Sequence, residues 1–303
     1  MLTSASRSTY AALCVCVGAI LWGVVWYPMR LLEDAGLHGI WLALILYVAA
    51  LAASLPYTRR GLPALARAPG WLAVLALAAG WTNIAFVQAV LDGNILRVLL
   101  LFYLSPLWAA FLARVLLGER IPRAAAGSLA IAVAGALLML WNPALGVPWP
   151  EERADWFGLT AGMAFALSNV ATRAVQQAPV ATKLFCVFFG VSAMAFAIIA
   201  LTGLPAPAVS AGTVAGAAAL GVFGILVMTA LIQYGVTHIP VYRSAVIAFI
   251  ELVAGAVSQA LLTDEVVTLR EWIGGALIVA GAYGAVRASP PANLPGAVRS
   301  ASK

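Results

Sequence analysis

Apolar residues fill this chain in long runs, broken at short intervals by glycine, proline or charged residues. Ten of the runs are each long enough, at about 1.5 Å per helical residue, to cross a bilayer. They lie near 9–31, 38–57, 71–91, 96–117, 124–141, 156–175, 182–202, 213–235, 242–262 and 271–288. The breaks, such as DGN, GERIPR and THIPV, are too short to hold an extramembrane domain. Function therefore has to sit among the helices. The runs are continuous rather than alternating, which excludes an outer-membrane β-barrel. The pattern predicts an all-α integral membrane protein with ten transmembrane helices.

One run departs from the rest. YRSAVIAFIELVAGAVSQALL, 242–262, carries Glu251 deep inside an apolar stretch. An ionisable group at that depth costs about 2.5–3.5 kcal/mol on insertion scales and marks a functional candidate. Ser244, Ala248, Gly255 and Ser258 sit near it at helical spacing. A small and polar stripe of this kind faces protein or a wet cavity rather than lipid.

Composition agrees with the pattern. The 303 residues are 64% hydrophobic and 9% charged, against about 25% charged in a soluble domain. The formal charge of +6 comes from basic residues scattered singly between apolar runs, not from a nucleic-acid patch. Cys14, Cys16 and Cys186 all lie in apolar runs, with no disulfide or zinc spacing. The first run is too long for a cleavable signal peptide and lacks a small-residue cleavage site.

Charge also orients the helices. With the N-terminus inside, only Arg30, Arg97, Arg153 and Arg270 of the 17 basic residues fall outside. Of the 11 acids, only Glu119 falls inside and only Glu251 within the membrane. The positive-inside rule then puts both termini in the cytoplasm of an inner-membrane, multi-pass protein.

The chain repeats itself. SPLWAAFLARVLLGERIPRAAAGSLAIAVAGALLM at 105–139 has a counterpart in IELVAGAVSQALLTDEVVTLREWIGGALIVAGAYG at 250–284. Pro106 falls opposite Glu251, Glu119 near Asp264 and Glu265, and Gly127 near Gly274. Trp22-to-Arg30 lines up with Phe165-to-Arg173, and Gln88 with Gln233. Five helices per copy is an odd number, so the second copy enters from the opposite side. The expectation is two inverted five-helix repeats, 1–146 and 155–288, and a cytoplasmic tail at 289–303. Resemblance among small-residue helices is the competing account.

ILWGVVWYPMR, YLSPLWAAFLARVLLGER and LLTDEVVTLREWIGGALIVAGAYG together resemble the drug/metabolite transporter superfamily, in its EamA-type branch. The resemblance covers about residues 10–288 and is nearest to YddG-type exporters of aromatic amino acids. It implies a central cavity lined by helices one, three, four, six, eight and nine, with helices five and ten outside. It also implies export of small organic solutes. Many relatives carry proline where this chain has Glu251, so no role for that acid carries over.

Enzyme signatures are missing: there is no HExxH, GxSxG or phosphate-binding glycine loop. Ser258 and Glu251 stand about 10 Å apart by helical rise, too far for direct proton transfer. No catalytic residue, metal, ATP site or cofactor is expected. The in-span amides and hydroxyls are the candidates instead, because hydrocarbon cannot satisfy them. They include Asn83 and Gln88 in helix three, Tyr103 in helix four, Asn169 in helix six, Gln233 and Tyr234 in helix eight, and Ser244 in helix nine. Hydrogen bonding between helices is the alternative for each.

Trp22 and Trp26 lie one turn apart on helix one, and Trp108 and Phe165 are also mid-span. An aromatic wall with a few amides suits a flat, amphiphilic solute; core packing is the alternative. Pro28, Pro106 and Pro240 ease bends. Arg114, Arg173 and Arg243 read as snorkelling anchors at the cytoplasmic face.

The expected function is secondary export of aromatic amino acids and related small amphiphilic metabolites by alternating access, with Glu251 among the cavity residues. Multidrug or cationic-metabolite export, with Glu251 as counter-charge, is the rival within transport. A passive solute channel is the rival from another class. Partners are the substrate and the bilayer, with the chain a monomer or weak homodimer.

Overall fold

The computed structural model describes residues 4–141, 149–263 and 267–287. The expected tail at 289–303, the end of the first repeat at 142–146, and Asp264 and Glu265 lie outside them. Among the described residues there is no strand. Each predicted run carries helix, and several rods are interrupted. Leu-, Val- and Ala-rich stretches have no water to compete for their backbone, so helix is the only local solution.

The first rod is α1 (Ser4–Val24) followed by α2 (Trp26–Asp34). The interruption at Val25 follows from Pro28, which lacks the N–H that would bond Val24 and crowds its carbonyl. Next come α3 (Gly39–Thr58), a 3-10 stretch (Arg59–Arg67) and α4 (Pro69–Asp92). The fourth rod is split into α5 (Ile95–Phe102) and α6 (Ser105–Leu117), and α7 (Arg123–Leu140) closes the first half.

The second half begins with α8 (Arg153–Ala174) and α9 (Val180–Thr202). Then α10 (Ala211–Leu220) passes through a π-helical turn (Gly221–Ile225) into α11 (Leu226–His238). The ninth rod is split into α12 (Val241–Ala248) and α13 (Ile250–Leu262), and α14 (Leu269–Arg287) ends the described chain. Among the described residues eight stretches are long and apolar enough to span a membrane. The other two long helices, α8 and α14, open on charged first turns, Arg153 with Asp155 and Arg270 with Glu271.

The largest apolar cluster gathers α3, α4, α8, α9 and α11 around Phe188, Leu46 and Leu75. A second joins α6, α7, α12 and α14 around Ala132, Val246 and Ile278. Between them α6, α8 and α12 meet through Ala109, Ala113, Ala166 and Ala245. Small side chains bring these three helices close together, and the site lies there.

Candidate functional site

The two split rods carry the centre of the molecule. In the fourth, Pro106 cannot donate to Phe102 O, and the chain tightens through Leu104 N to Leu101 O and Leu107 N to Leu104 O. In the ninth there is no proline. Phe249 N donates to Val246 O and Leu252 N to Phe249 O, the same short-range tightening. Two glycines press on these interruptions. A Cβ on Gly162 of α8 would collide with Phe102 O, and one on Gly23 of α1 with Glu251 O.

Where the interruptions face each other a small cavity opens. Its walls are Phe102, Tyr103, Ser105, Pro106 and Ala109 from the fourth rod, Phe165 and Asn169 from α8, and Ala245, Ala248, Phe249 and Glu251 from the ninth. Tyr103 stacks on Phe249 at 6.2 Å between ring centroids, and Phe102 meets Tyr103 at 5.4 Å and Phe165 at 5.7 Å. The Glu251 carboxyl faces the Tyr103 phenol within hydrogen-bonding reach. The arrangement is an aromatic box with one carboxylate and one amide.

Its free space is about 20 Å³, room for about one water. An indole cannot enter this conformation, which is therefore closed around the site. A wider groove of about 530 Å³ runs between α7, α13 and α14. Apart from Glu271, Trp272 and Tyr283 its walls are aliphatic or glycine, so it offers a polar solute little to bind.

Hydrogen bonds seal the end where α6, α8, α11 and α12 meet. Glu119, just after α6, accepts from Arg173 Nε at 3.2 Å and from Val241 N, the first residue of α12, at 3.0 Å. It thus ties both split rods to α8. Arg173 Nη1 donates to Thr237 O at 2.8 Å, and Lys183 Nζ to Thr237 Oγ1 at 2.8 Å. Thr172 Oγ1 donates to Gln233 Oε1 at 2.9 Å. At the opposite end Arg97 pairs with Asp155 at 2.9 Å and Glu151 at 3.2 Å and donates to Trp149 O.

Tyr103, Phe165, Asn169 and Glu251 are thus brought together at the cavity, with Phe102, Ser105, Pro106 and Phe249 beside them. The remaining candidates stand elsewhere. Trp26 donates to Ser258 Oγ at 2.8 Å, and Trp22 packs against the large cluster behind it. Asn83 accepts from Tyr47 of α3 at 2.7 Å, a bond between helices, and donates to Ala79 O within its own helix. Gln88 is half-buried in α4. Gln233 belongs to the hydrogen-bonded seal at the end of α8 and α11, and Tyr234 packs on Tyr10 and His238. Ser244 donates within its own helix to Val241 O. Trp108 packs beside the cavity cluster, its Nε1 buried without a partner.

Arg114 is exposed, whereas Arg173 and Arg243 turn inward. Arg243 is 5% exposed and donates to Ser8 at 2.8 Å. Sequence reasoning also missed Lys183, 0% exposed, because a lysine at the start of an apolar run reads as an interfacial anchor. Its neighbour Thr182, which donates to Gly61 O at 2.9 Å, gave no separate signal.

The EamA-like transporter family matches residues 9–141 and 152–287. An uncharacterized transporter of Archaeoglobus fulgidus (strain ATCC 49558 / DSM 4304 / JCM 9628 / NBRC 100126 / VC-16) is 26% identical over 202 residues, covering 66% of this chain and 70% of that one. A solved crystal structure superposes with TM-score 0.71 at 20% identity, over 91% of this chain and 96% of that one, and shares the fold. Helices long and apolar enough to cross a bilayer, split rods meeting at a polar-aromatic cavity, and this match agree: the chain is a multi-pass membrane transporter that belongs to the EamA-like transporter family.

Proposed function

We propose that the chain exports aromatic amino acids and related small amphiphilic metabolites from the cytoplasm across the inner membrane, by alternating access through the central cavity. The observation that carries this reading is the box of Phe102, Tyr103, Phe165 and Phe249 around Asn169 and Glu251. Aromatic faces take a flat ring, an amide orients it, and a carboxylate accepts an ammonium group.

Two inverted repeats of five spans, with both termini cytoplasmic, supply the moving parts in this reading. Several observations support that frame. The second segment of each split rod, α6 and α13, begins at corresponding positions, Ser105 and Ile250. The packing pairs also correspond: α4 on α8 with α11 on α1, and α6 on α8 with α13 on α1. The family match falls in two segments of similar length. Rocking of one half against the other would break the cytoplasmic seal and the Arg97 cluster in turn.

The test is uptake of labelled tryptophan into everted membrane vesicles, competed by phenylalanine and tyrosine. Saturable uptake with competition is expected; no uptake, or uptake untouched by aromatic amino acids, refutes the substrate class. Glu251 in the cavity wall favours one second reading, export of amphiphilic cations. In that case tryptamine competes and indole-3-acetate does not.

A further inference from the structure

A chain of polar contacts leaves the cavity and ends on an imbalance of charge. Asn169 at the cavity wall lies one turn from Thr172, whose hydroxyl donates to Gln233 Oε1 at 2.9 Å. One turn along α11, Thr237 Oγ1 donates to Gln233 O at 2.6 Å. Two cations converge on Thr237. Lys183 Nζ donates to its Oγ1 and Arg173 Nη1 to its carbonyl, each at 2.8 Å. The guanidinium is near enough for its charge to act on the ammonium.

The surroundings do not balance them. Thr172 and Lys183 are 0% exposed, Thr237 4% and Gln233 6%. Among the described residues one carboxylate, Glu119, bonds to this group, and Arg173 Nε and Val241 N occupy its two oxygens. Arg243 on α12 is engaged separately by Ser8, and His238 turns its Nδ1 to Tyr234 O. Lys183 has three N–H donors, and its hydrogen bond among the described residues is the one to Thr237. A buried cation without a counter-charge costs several kcal/mol. An ionisable group inside a membrane protein calls for a named partner.

We propose that Lys183 and Arg173 form a carboxylate-recognition site at the cytoplasmic end of the cavity, where an entering amphiphilic substrate docks its anionic group. The inference rests on the export reading and deepens it, for it says which part of the solute enters last. The carboxylate supplies the missing negative charge and accepts from Lys183 Nζ and the free edge of Arg173. Such charge-assisted bonds are about twice as strong as neutral ones. The ring end then points along Thr172 and Asn169 toward the aromatic box, and the ammonium group meets Glu251 only after the solute has moved on from this docking position.

The experiment compares tryptophan, tryptophan amide and indole-3-acetate on wild type, Lys183→Gln and Lys183→Arg in everted vesicles. Wild type should favour tryptophan over its amide by about tenfold in half-saturating concentration, the worth of one bond to a charged group. Lys183→Gln should narrow that preference to within about twofold, and Lys183→Arg should restore most of it. Retention of the full preference by Lys183→Gln overturns the site. Thermal melting of the purified proteins with indole-3-acetate separates this inference from the export reading. If wild type moves no tryptophan yet indole-3-acetate stabilises it and not Lys183→Gln, the site stands and the substrate assignment fails. Equal stabilisation of both proteins, or of neither, overturns the site.

Discussion

The rods α5–α6 and α12–α13 are both interrupted, and each is pressed by a glycine of a neighbouring helix. Gly162 lies against Phe102 and Gly23 against Glu251. Their second segments open differently. Pro106 stands in the first turn of α6, where a missing N–H does no harm, whereas Glu251 stands in the first turn of α13 and faces the cavity. The difference separates what the two rods share from what they do not. Close backbone packing at a glycine is common to both interruptions, and one acid gives the cavity its charge. The two roles are physically independent, so substitutions can address them one at a time.

The largest effect should come from the residue that holds both rods together. Glu119→Ala leaves Arg173 without its carboxylate and Val241 N without an acceptor. It should lower stability by about 3 kcal/mol, seen as an earlier thermal melt of the purified protein. Glu119→Gln, which keeps an acceptor, should recover part of the loss.

Gly162→Ala and Gly23→Ala probe the shared part of the comparison. Each puts a methyl group against a backbone carbonyl that cannot step aside, at a cost of about 1–3 kcal/mol. Similar losses in the two melts are expected. A loss at one glycine alone would show that the two interruptions are not held in the same way.

Two smaller effects probe the part that differs. Glu251→Gln keeps the size and hydrogen bonding of the side chain and should change the melt by less than about 1 kcal/mol. It should nevertheless weaken competition by tryptamine in vesicle uptake by about tenfold and leave that by indole-3-acetate unchanged. Pro106→Ala should change the melt by less than about 1 kcal/mol, because the proline already sits where a helix needs no donor. A large loss there would make the proline, and not the glycine contact, the cause of the first interruption.

Most of the helical frame is legible in the sequence, since hydrocarbon permits little else for runs of this length. The site is legible only in part. Pro106 announces the interruption of the fourth rod, but no residue of the ninth announces the one at Phe249, where Gly23 of α1 packs on Glu251 O. Trp26 and Asn83 carry the right chemistry for a cavity wall and are used instead to tie helices, through Ser258 and Tyr47. Lys183 and Arg173 look like anchors because hydropathy reports depth along a helix and not the direction a side chain takes around it. Glu251 is readable as an exception, and the structure adds its setting: a carboxylate against Tyr103 in an aromatic box.

The central claim is that this box is the substrate site of a carrier. Counterflow tests it most directly: liposomes holding the purified protein are loaded with unlabelled tryptophan and diluted into a trace of labelled tryptophan. The account predicts a transient, saturable accumulation of label that external phenylalanine suppresses and that Asn169→Leu, which removes the amide from the cavity wall, diminishes. Label that equilibrates without overshoot or saturation would indicate a channel, and no movement of aromatic amino acids at all would contradict the assigned substrate.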